Sequence, residues 1–185
     1  MKFSRKLASA SFAVMLGLGT ASSFAQLVMV SNASMLASKD IIDNVITSKD
    51  HTTLVAALKA AGLVDTLKSA GPFTVFAPTN AAFAALPAGT IDTLLKPENK
   101  SMLGDILTYH VVPGRVDAAA LTKLIIDGNG STTFKTVAGG MLTAKSVGGR
   151  VMITDEKGGS SSVTIADVYQ SNGVIHVVDK VLLPK

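Results

Sequence analysis

Cysteine and tryptophan are absent from the 185 residues, tyrosine occurs twice, and histidine three times. Without cysteine, no disulfide can staple the chain and no thiol can serve as nucleophile or metal ligand. His51, His110 and His176 are widely separated, so a tetrahedral metal site would have to draw carboxylates from distant segments. No metal and no cofactor is expected. Also missing are a glycine-rich phosphate loop, a G-x-S-x-G elbow, an H-E-x-x-H pair and an acidic loop with calcium spacing. Serine or threonine, His110 or His176, and Asp167 or Asp179 supply the residue types of a triad, yet nothing marks a nucleophile. The expectation is a protein that is not an enzyme.

Runs of charge are missing as well. Basic residues such as Lys59, Lys68, Lys100, Lys123 and Lys145 are scattered, with no interleaved aromatics, which argues against nucleic acid as a partner. The formal net charge of +4 is concentrated at the start. Lys2, Arg5 and Lys6 precede the apolar stretch Leu7 to Leu18, and Ser23-Phe24-Ala25 places small residues where signal peptidase reads them. From Gln26 onward 14 basic residues face 13 acidic ones, a net charge of +1. A membrane span needs about 20 apolar residues, whereas this stretch breaks into Gly17, Gly19, Thr20 and Ser22. Residues 1–25 therefore read as a signal peptide with no transmembrane anchor, 26–37 as a flexible N-terminal arm, and 38–185 as one domain. The expected location is secreted, either periplasmic or extracellular, and the alanine-rich leader looks bacterial. A core of about 150 residues buries roughly 68 to 70% of the unfolded surface, enough without disulfides.

Apolar spacing divides the domain into a helical half and a strand-rich half. Asp40 can cap a helix with Ile41, Ile42, Val45 and Ile46 on one face, and a second helix starts near Thr53 and ends at Gly62. Another turn spans Leu63 to Leu67. Phe73 to Phe76 suits a strand that Pro78 stops, and Thr79 or Asn80 can cap the helix bearing Phe83 and Leu86. Thr90 begins a short helix. Met102, Leu103, Ile106, Leu107 and His110 follow helical spacing, and Asp117 can cap a helix through Leu121 and Leu124. Strands follow at Thr133 to Val137, Met141 to Ala144, Val151 to Thr154, Val163 to Ala166 and Val174 to Leu182. Glycine-bearing turns at Gly139-Gly140, Gly148-Gly149 and Asn172-Gly173 lie between runs. The fold class is α+β, with a helical N-terminal half and a C-terminal antiparallel meander.

Three separated segments carry a resemblance: Gly71 to Phe83 (GPFTVFAPTNAAF), Tyr109 to Gly114 (YHVVPG) and Gly173 to Pro184 (GVIHVVDKVLLP). Together, and in this order, they resemble the fasciclin domain, a secreted adhesion module. The resemblance implies an antiparallel-rich β core with helices packed along it. It also implies a non-enzymatic protein whose partner is a cell-surface or matrix protein or glycan. Ala81 departs from the acidic residue common at that place in the family, removing a favourable charge at a helix N-terminus worth about 0.3 to 1 kcal/mol. A second reading, independent of the resemblance, is an extracytoplasmic carrier or sensor of a small apolar ligand or lipid, which would need a concave apolar pocket.

Thr79, Asn80, His110, Gly173 and His176 are read as structural residues of the motifs. His110 fits a core histidine bonded at both ring nitrogens in preference to a contact residue. Tyr109 offers a packing ring and a hydroxyl that can reach a partner. The family's Tyr-His motif is regarded both as structural and as part of an adhesive segment. Asp167-Val168 matches in place an Asp-Ile pair that in animal matrix members is implicated in integrin binding. Ile165 and Ala166 depart from the polar residues found before it in some of those members. Asp167 is read first as support for the turn leading to Asn172-Gly173, and second as a contact carboxylate beside an exposed Val168 anchor. Tyr109, His110, Asp167 and Val168 are thus the candidate partner-binding residues.

The leader gives a direct expectation. Exported protein should begin at Gln26, as read by intact mass; a mature form retaining Leu7 to Leu18 would overturn both location and charge balance.

Overall fold

A computed structural model describes residues 27–30 and 33–185. The expected signal peptide lies outside the described residues. Asp40 caps α1 (Ile41–Thr47), its Oδ1 accepting from Asp43 N at 2.8 Å. Ile41, Ile42 and Val45 are buried, but Ile46 is 45% exposed. At 100° per residue Ile46 falls beyond the arc spanned by the other three, so it rims the apolar face. Next come α2 (Thr52–Ala61), ending at Gly62, and α3 (Val64–Lys68). Strand β3 (Phe73–Pro78) leads into α4 (Asn80–Ala84), followed by α5 (Thr90–Leu94) and α6 (Lys100–Tyr109). Met102 of α6 is 56% exposed although its spacing matches the apolar face. After β4 (Val111–Pro113), Asp117 caps α7 (Ala118–Asp127) by accepting from Ala120 N at 2.8 Å.

The remaining chain is β5 (Ser131–Lys135), β6 (Met141–Val147), β7 (Arg150–Thr154), β8 (Ser160–Gln170) and β9 (Gly173–Val178). They form an antiparallel meander, and β9 also pairs in parallel with β3, from Phe73 opposite Gly173 to Pro78 opposite Val178. The strand order is β4-β3-β9-β8-β7-β6-β5. Strand β8 is longer than the expected Val163 to Ala166 because it serves two neighbours. Ser160 to Ser162 pairs with β7, and Val163 to Gln170 pairs with β9 across two register irregularities. Such bulges bend a strand and increase its twist, so the sheet turns a corner within β8. At the far ends, Val137 N donates to the Val111 carbonyl at 2.8 Å, bringing the segment after β5 onto β4.

Two clusters of buried side chains result. One packs the helices on β3 and β9 through Ile41, Leu58, Leu103, Leu107, Val75 and Ile175. The other lies inside the bent sheet, where Phe76, Val112 and Val178 meet Leu121, Leu142 and Ile153. Strands β3 and β9 are covered on both faces, which is why Phe73 to Ala77 and Val174 to Val178 read as nearly continuous apolar runs. On β5, β6 and β7 the apolar residues Phe134, Leu142, Ala144, Val151 and Ile153 turn inward, and the alternating residues face outward.

Two expectations need correction. Strand β9 stops at Val178 and does not run to Leu182. The Asp179 carboxylate takes the Ser162 N–H at 2.8 Å and the Ser161 hydroxyl at 3.0 Å, replacing the ladder with side-chain bonds. Nor is the stretch before Ser38 a free arm over its described part. Strands β1 (Leu27–Val30) and β2 (Ala33–Leu36) form a hairpin, and Met35 is buried against the helical cluster. Asn44 holds Leu36 like a strand partner, accepting from its N–H at 3.0 Å and donating to its carbonyl at 2.8 Å, while also bonding Gln170 of β8.

Met35→Ala should therefore destabilise the domain by about 2 to 5 kcal/mol, the range for deleting a buried Met side chain. Urea unfolding measures this, and an unchanged midpoint would restore the free-arm description.

Candidate functional site

The end of α6 is fixed from three directions. Its last turn places His110 beneath the apolar face, where Nδ1–H donates to the Ile106 carbonyl at 2.7 Å and Nε2 accepts from Leu182 N at 2.9 Å. A carbonyl only accepts and an N–H only donates, so these partners define one neutral tautomer. Burial lowers the His110 pKa to about 4, against the smaller raising effects of the Ile106 carbonyl and Asp155. The Tyr109 hydroxyl donates to the Met141 carbonyl at 2.7 Å and accepts from Glu156 N at 3.1 Å. Gly140 lies flat against the Tyr109 ring, and a Cβ there would come within 2.6 Å of it. Tyr109 and His110 are both buried, so neither side chain presents a surface to a partner.

Asp155, which the sequence reading passed over, completes this node. Its Oδ1 accepts from Lys157 N at 3.0 Å and Gly159 N at 2.7 Å, shaping the β7–β8 turn, while Oδ2 accepts from Leu183 N at 3.0 Å. The Asp-x-Lys-Gly-Gly run carried an Asx-turn signal. Its bond to Leu183 had none.

A second node gathers β8, β9 and α7. His176 Nε2–H donates to the Val116 carbonyl at 2.8 Å, and its Nδ1 receives a long 3.4 Å approach from Asp167 N. The ring stacks on Phe76 at 5.7 Å between centroids. Burial lowers its pKa, opposed by the Val116 carbonyl and by Asp167 and Asp117. Asp167 has φ +59°, a left-handed conformation that Asp tolerates better than most residues, and it sits in the irregular part of β8. Its Oδ1 accepts from Ala118 N, the first residue of α7, at 2.6 Å. Asp167 thus supports a helix N-terminus and not the turn at Asn172-Gly173. Val168 is opposite Ile175 in the ladder and fully buried in the helical cluster. The exposed Val168 anchor is absent because alternation in β8 turns that side chain inward.

The other motif residues also bind backbone. Thr79 Oγ1 accepts from Ala82 N at 3.2 Å as the cap of α4. Asn80 reaches to α2, accepting from Thr53 N at 3.0 Å and donating to the Lys49 carbonyl at 2.9 Å. At Gly173 a Cβ would run into the Phe73 carbonyl oxygen, so the parallel pair of β3 and β9 requires glycine there. Asn172, read only as a turn residue, accepts from Ile41 N at 3.0 Å and donates to the Leu67 carbonyl at 2.8 Å. His51 is buried with Ser48 Oγ at 2.8 Å from Nδ1; its Nε2 lies near the Ala77 carbonyl without a well-formed bond. Burial lowers its pKa against Asp50 and that carbonyl.

An open groove of about 910 Å³ runs beside α6, with Glu98, Asp105, Glu156 and Lys157 among its walls and Met102 and Leu183 among its apolar residues. Two apolar crevices, one by Ile46 and Val64 and one by Leu63 and Val137, hold only about 10 and 20 Å³. Neither has room for a lipid chain. Among the described residues no three His, Asp or Glu side chains stand together as a metal site, and no helix is long and apolar enough to cross a membrane.

The family model described as "Fasciclin domain" matches residues 49–184. Over 156 residues the chain is 48% identical to Protein sll1483 of Synechocystis sp., covering 84% of this chain and 79% of that protein. Over 138 residues it is 38% identical to the cell surface glycolipoprotein MPB83 of Mycobacterium bovis, covering 72% of this chain and 55% of the relative. Among solved structures, the FAS1 domain pair of the insect cell adhesion molecule Fasciclin I superposes with a TM-score of 0.71 at 19% identity. That match covers 84% of this chain and 57% of the pair, and it shows a shared fold.

The buried histidines make stability depend on pH. His110 has its ordinary value of 6.5 when unfolded and about 4 when folded, so between those values the unfolded chain binds more protons. Its contribution is complete above pH 6.5 and is lost as pH falls through 4. His51 and His176, also lowered, act in the same direction. Unfolding free energy from urea titrations should be flat near pH 7.5 and fall below pH 6.5, with a slope reaching about 1.4 kcal/mol per pH unit for each histidine. His110→Gln should lower the plateau and reduce the slope; equal stability at pH 7 and 5 would refute the buried neutral tautomers.

Proposed function

The chain belongs to the fasciclin-domain family, which is non-catalytic, and from that membership we propose that it is exported and acts by binding at a cell surface or in a surface matrix, through a protein or a glycan. The observation that carries this reading is the inward use of the motif. Tyr109, His110, Asp155 and His176 spend their polar atoms on backbone partners, so they build a rigid scaffold and leave recognition to the outer surface. The names of two similar proteins support the location: one is a cell surface glycolipoprotein and the other a cell adhesion molecule. The expected leader over residues 1–25 supports export. The carrier reading has less behind it, since the apolar crevices are too small and the groove beside α6 is open and walled by charge.

Labelled exported protein should bind intact cells of the producing organism, or their surface matrix, saturably and in competition with unlabelled protein. Binding should disappear when the domain is unfolded. Absence of saturable attachment to either material would defeat the adhesive reading.

A further inference from the structure

The outer face of the β5–β8 half of the sheet carries a pattern that the family motifs do not touch. Register places Thr133, Thr143, Thr154 and Ser160 opposite one another on four successive strands, all on the face turned away from the core. Adjacent strands lie about 4.8 Å apart, so the four hydroxyls form a row across the sheet. Thr154 Oγ1 and Ser160 Oγ are 3.0 Å apart at one end of it. A parallel row runs from Ser131 through Lys145 and Met152 to Ser162. Three cations stand on the same face: Lys135 beside Met141, Lys145 beside Met152, and Arg150 beside Val147. All three are exposed, and none of them belongs to an ion pair among the described residues. No Asp or Glu occupies an outward position on these strand segments. At the rim, the carboxylates of Glu156 and Asp179 accept from Met141 N at 3.2 Å and Ser162 N at 2.8 Å.

A whole-chain charge balance close to neutral therefore hides a face of one sign, with hydroxyls filling the space between the cations. From this we propose that the outer face of β5–β8 binds an acidic polysaccharide, one bearing uronate or sulfate groups. The inference rests on the surface-binding function proposed above and names its partner class. Lys135, Lys145 and Arg150 meet the anionic groups as charge-assisted donors, with Arg150 able to grip a carboxylate or sulfate through two N–H groups. The threonine and serine hydroxyls both donate and accept, matching the hydroxyls of a sugar chain. Single-stranded nucleic acid fits this face less well. Its recognition relies on aromatic platforms for the bases, and no outward position on these strands is aromatic. Neutral glucans would lack partners for the three cations.

The test uses the exported full domain and three immobilised probes: polygalacturonate, neutral dextran and a single-stranded DNA oligonucleotide. Retention on polygalacturonate should exceed that on either of the others and should fall as salt rises from 50 mM to 300 mM, because exposed charges are screened. The triple variant Lys135→Glu, Lys145→Glu, Arg150→Glu should lose at least about tenfold in affinity. Its melting temperature should stay near that of the parent, since these side chains lie outside both cores. Thr143→Ala with Thr154→Ala keeps the charge and should weaken binding severalfold, separating hydroxyl recognition from plain attraction. A parent that attaches to cells but ignores polygalacturonate sinks this inference and leaves the broader function standing. No attachment to cells at all sinks the broader function. Equal or tighter retention on the oligonucleotide, or a folded charge-reversed variant that binds polygalacturonate as well as the parent, also overturns the proposal.

Discussion

The His110 imidazole is the constraint around which the rest is arranged. Buried and neutral, it donates to its own helix at Ile106 and accepts from Leu182, so the end of α6 and the last segment of the chain are held by one ring. A neutral imidazole carries one donor and one acceptor on opposite sides of a rigid ring, so both bonds form without a buried charge. Tyr109 and Asp155 extend the same device to the start of β6, the β7–β8 turn and Leu183. Irregular segments converge here and have no ladder of their own; side-chain bonds satisfy backbone groups that would otherwise be buried unpaired.

A fold built this way separates two roles within one molecule. Polar residues of the motifs face inward and set geometry, while the sheet face opposite the core is free to vary in charge and hydroxyl content. A substitution in the first set should act through stability, and one in the second, on the binding proposed for that face, through recognition. Surface chemistry therefore has to be read from positions that no motif marks.

The sequence was legible where the determining partner lay within four residues. Asp40, Thr79 and Asp117 were recognisable as caps because their acceptors serve N–H groups three positions on. The paired glycines and Asn172-Gly173 marked hairpin turns for the same local reason. Legibility failed where the partner was distant. The carboxylate of Asp167 serves Ala118, the amide of Asn172 serves Ile41 and Leu67, and Asp155 serves Leu183, links that no local pattern contains. Burial at the margins of faces failed too: Ile46 and Met102 match helical spacing, yet neighbouring elements do not extend far enough to cover them. Val168 misled in the opposite sense: it faces the helical cluster, a packing partner that its local sequence does not record.

Strand β9 lies between β3 and β8, although it follows both in the chain. Its parallel contact joins residues a hundred positions apart, from Phe73 with Gly173 onward. Such non-local pairing costs loop-closure entropy before any contact repays it, so the central sheet cannot form early. A nascent chain still lacking Gly173 to Val178 has an open seam through the middle of its sheet, and the helical half lacks one of the two strands it packs on. Completion of the fold therefore waits until Gly173 to Val178 have been made. On the export proposed above, a polypeptide whose central sheet waits for β9 stays thread-like until that strand has been delivered, and a molecule cut before Gly173 has no route to a finished domain.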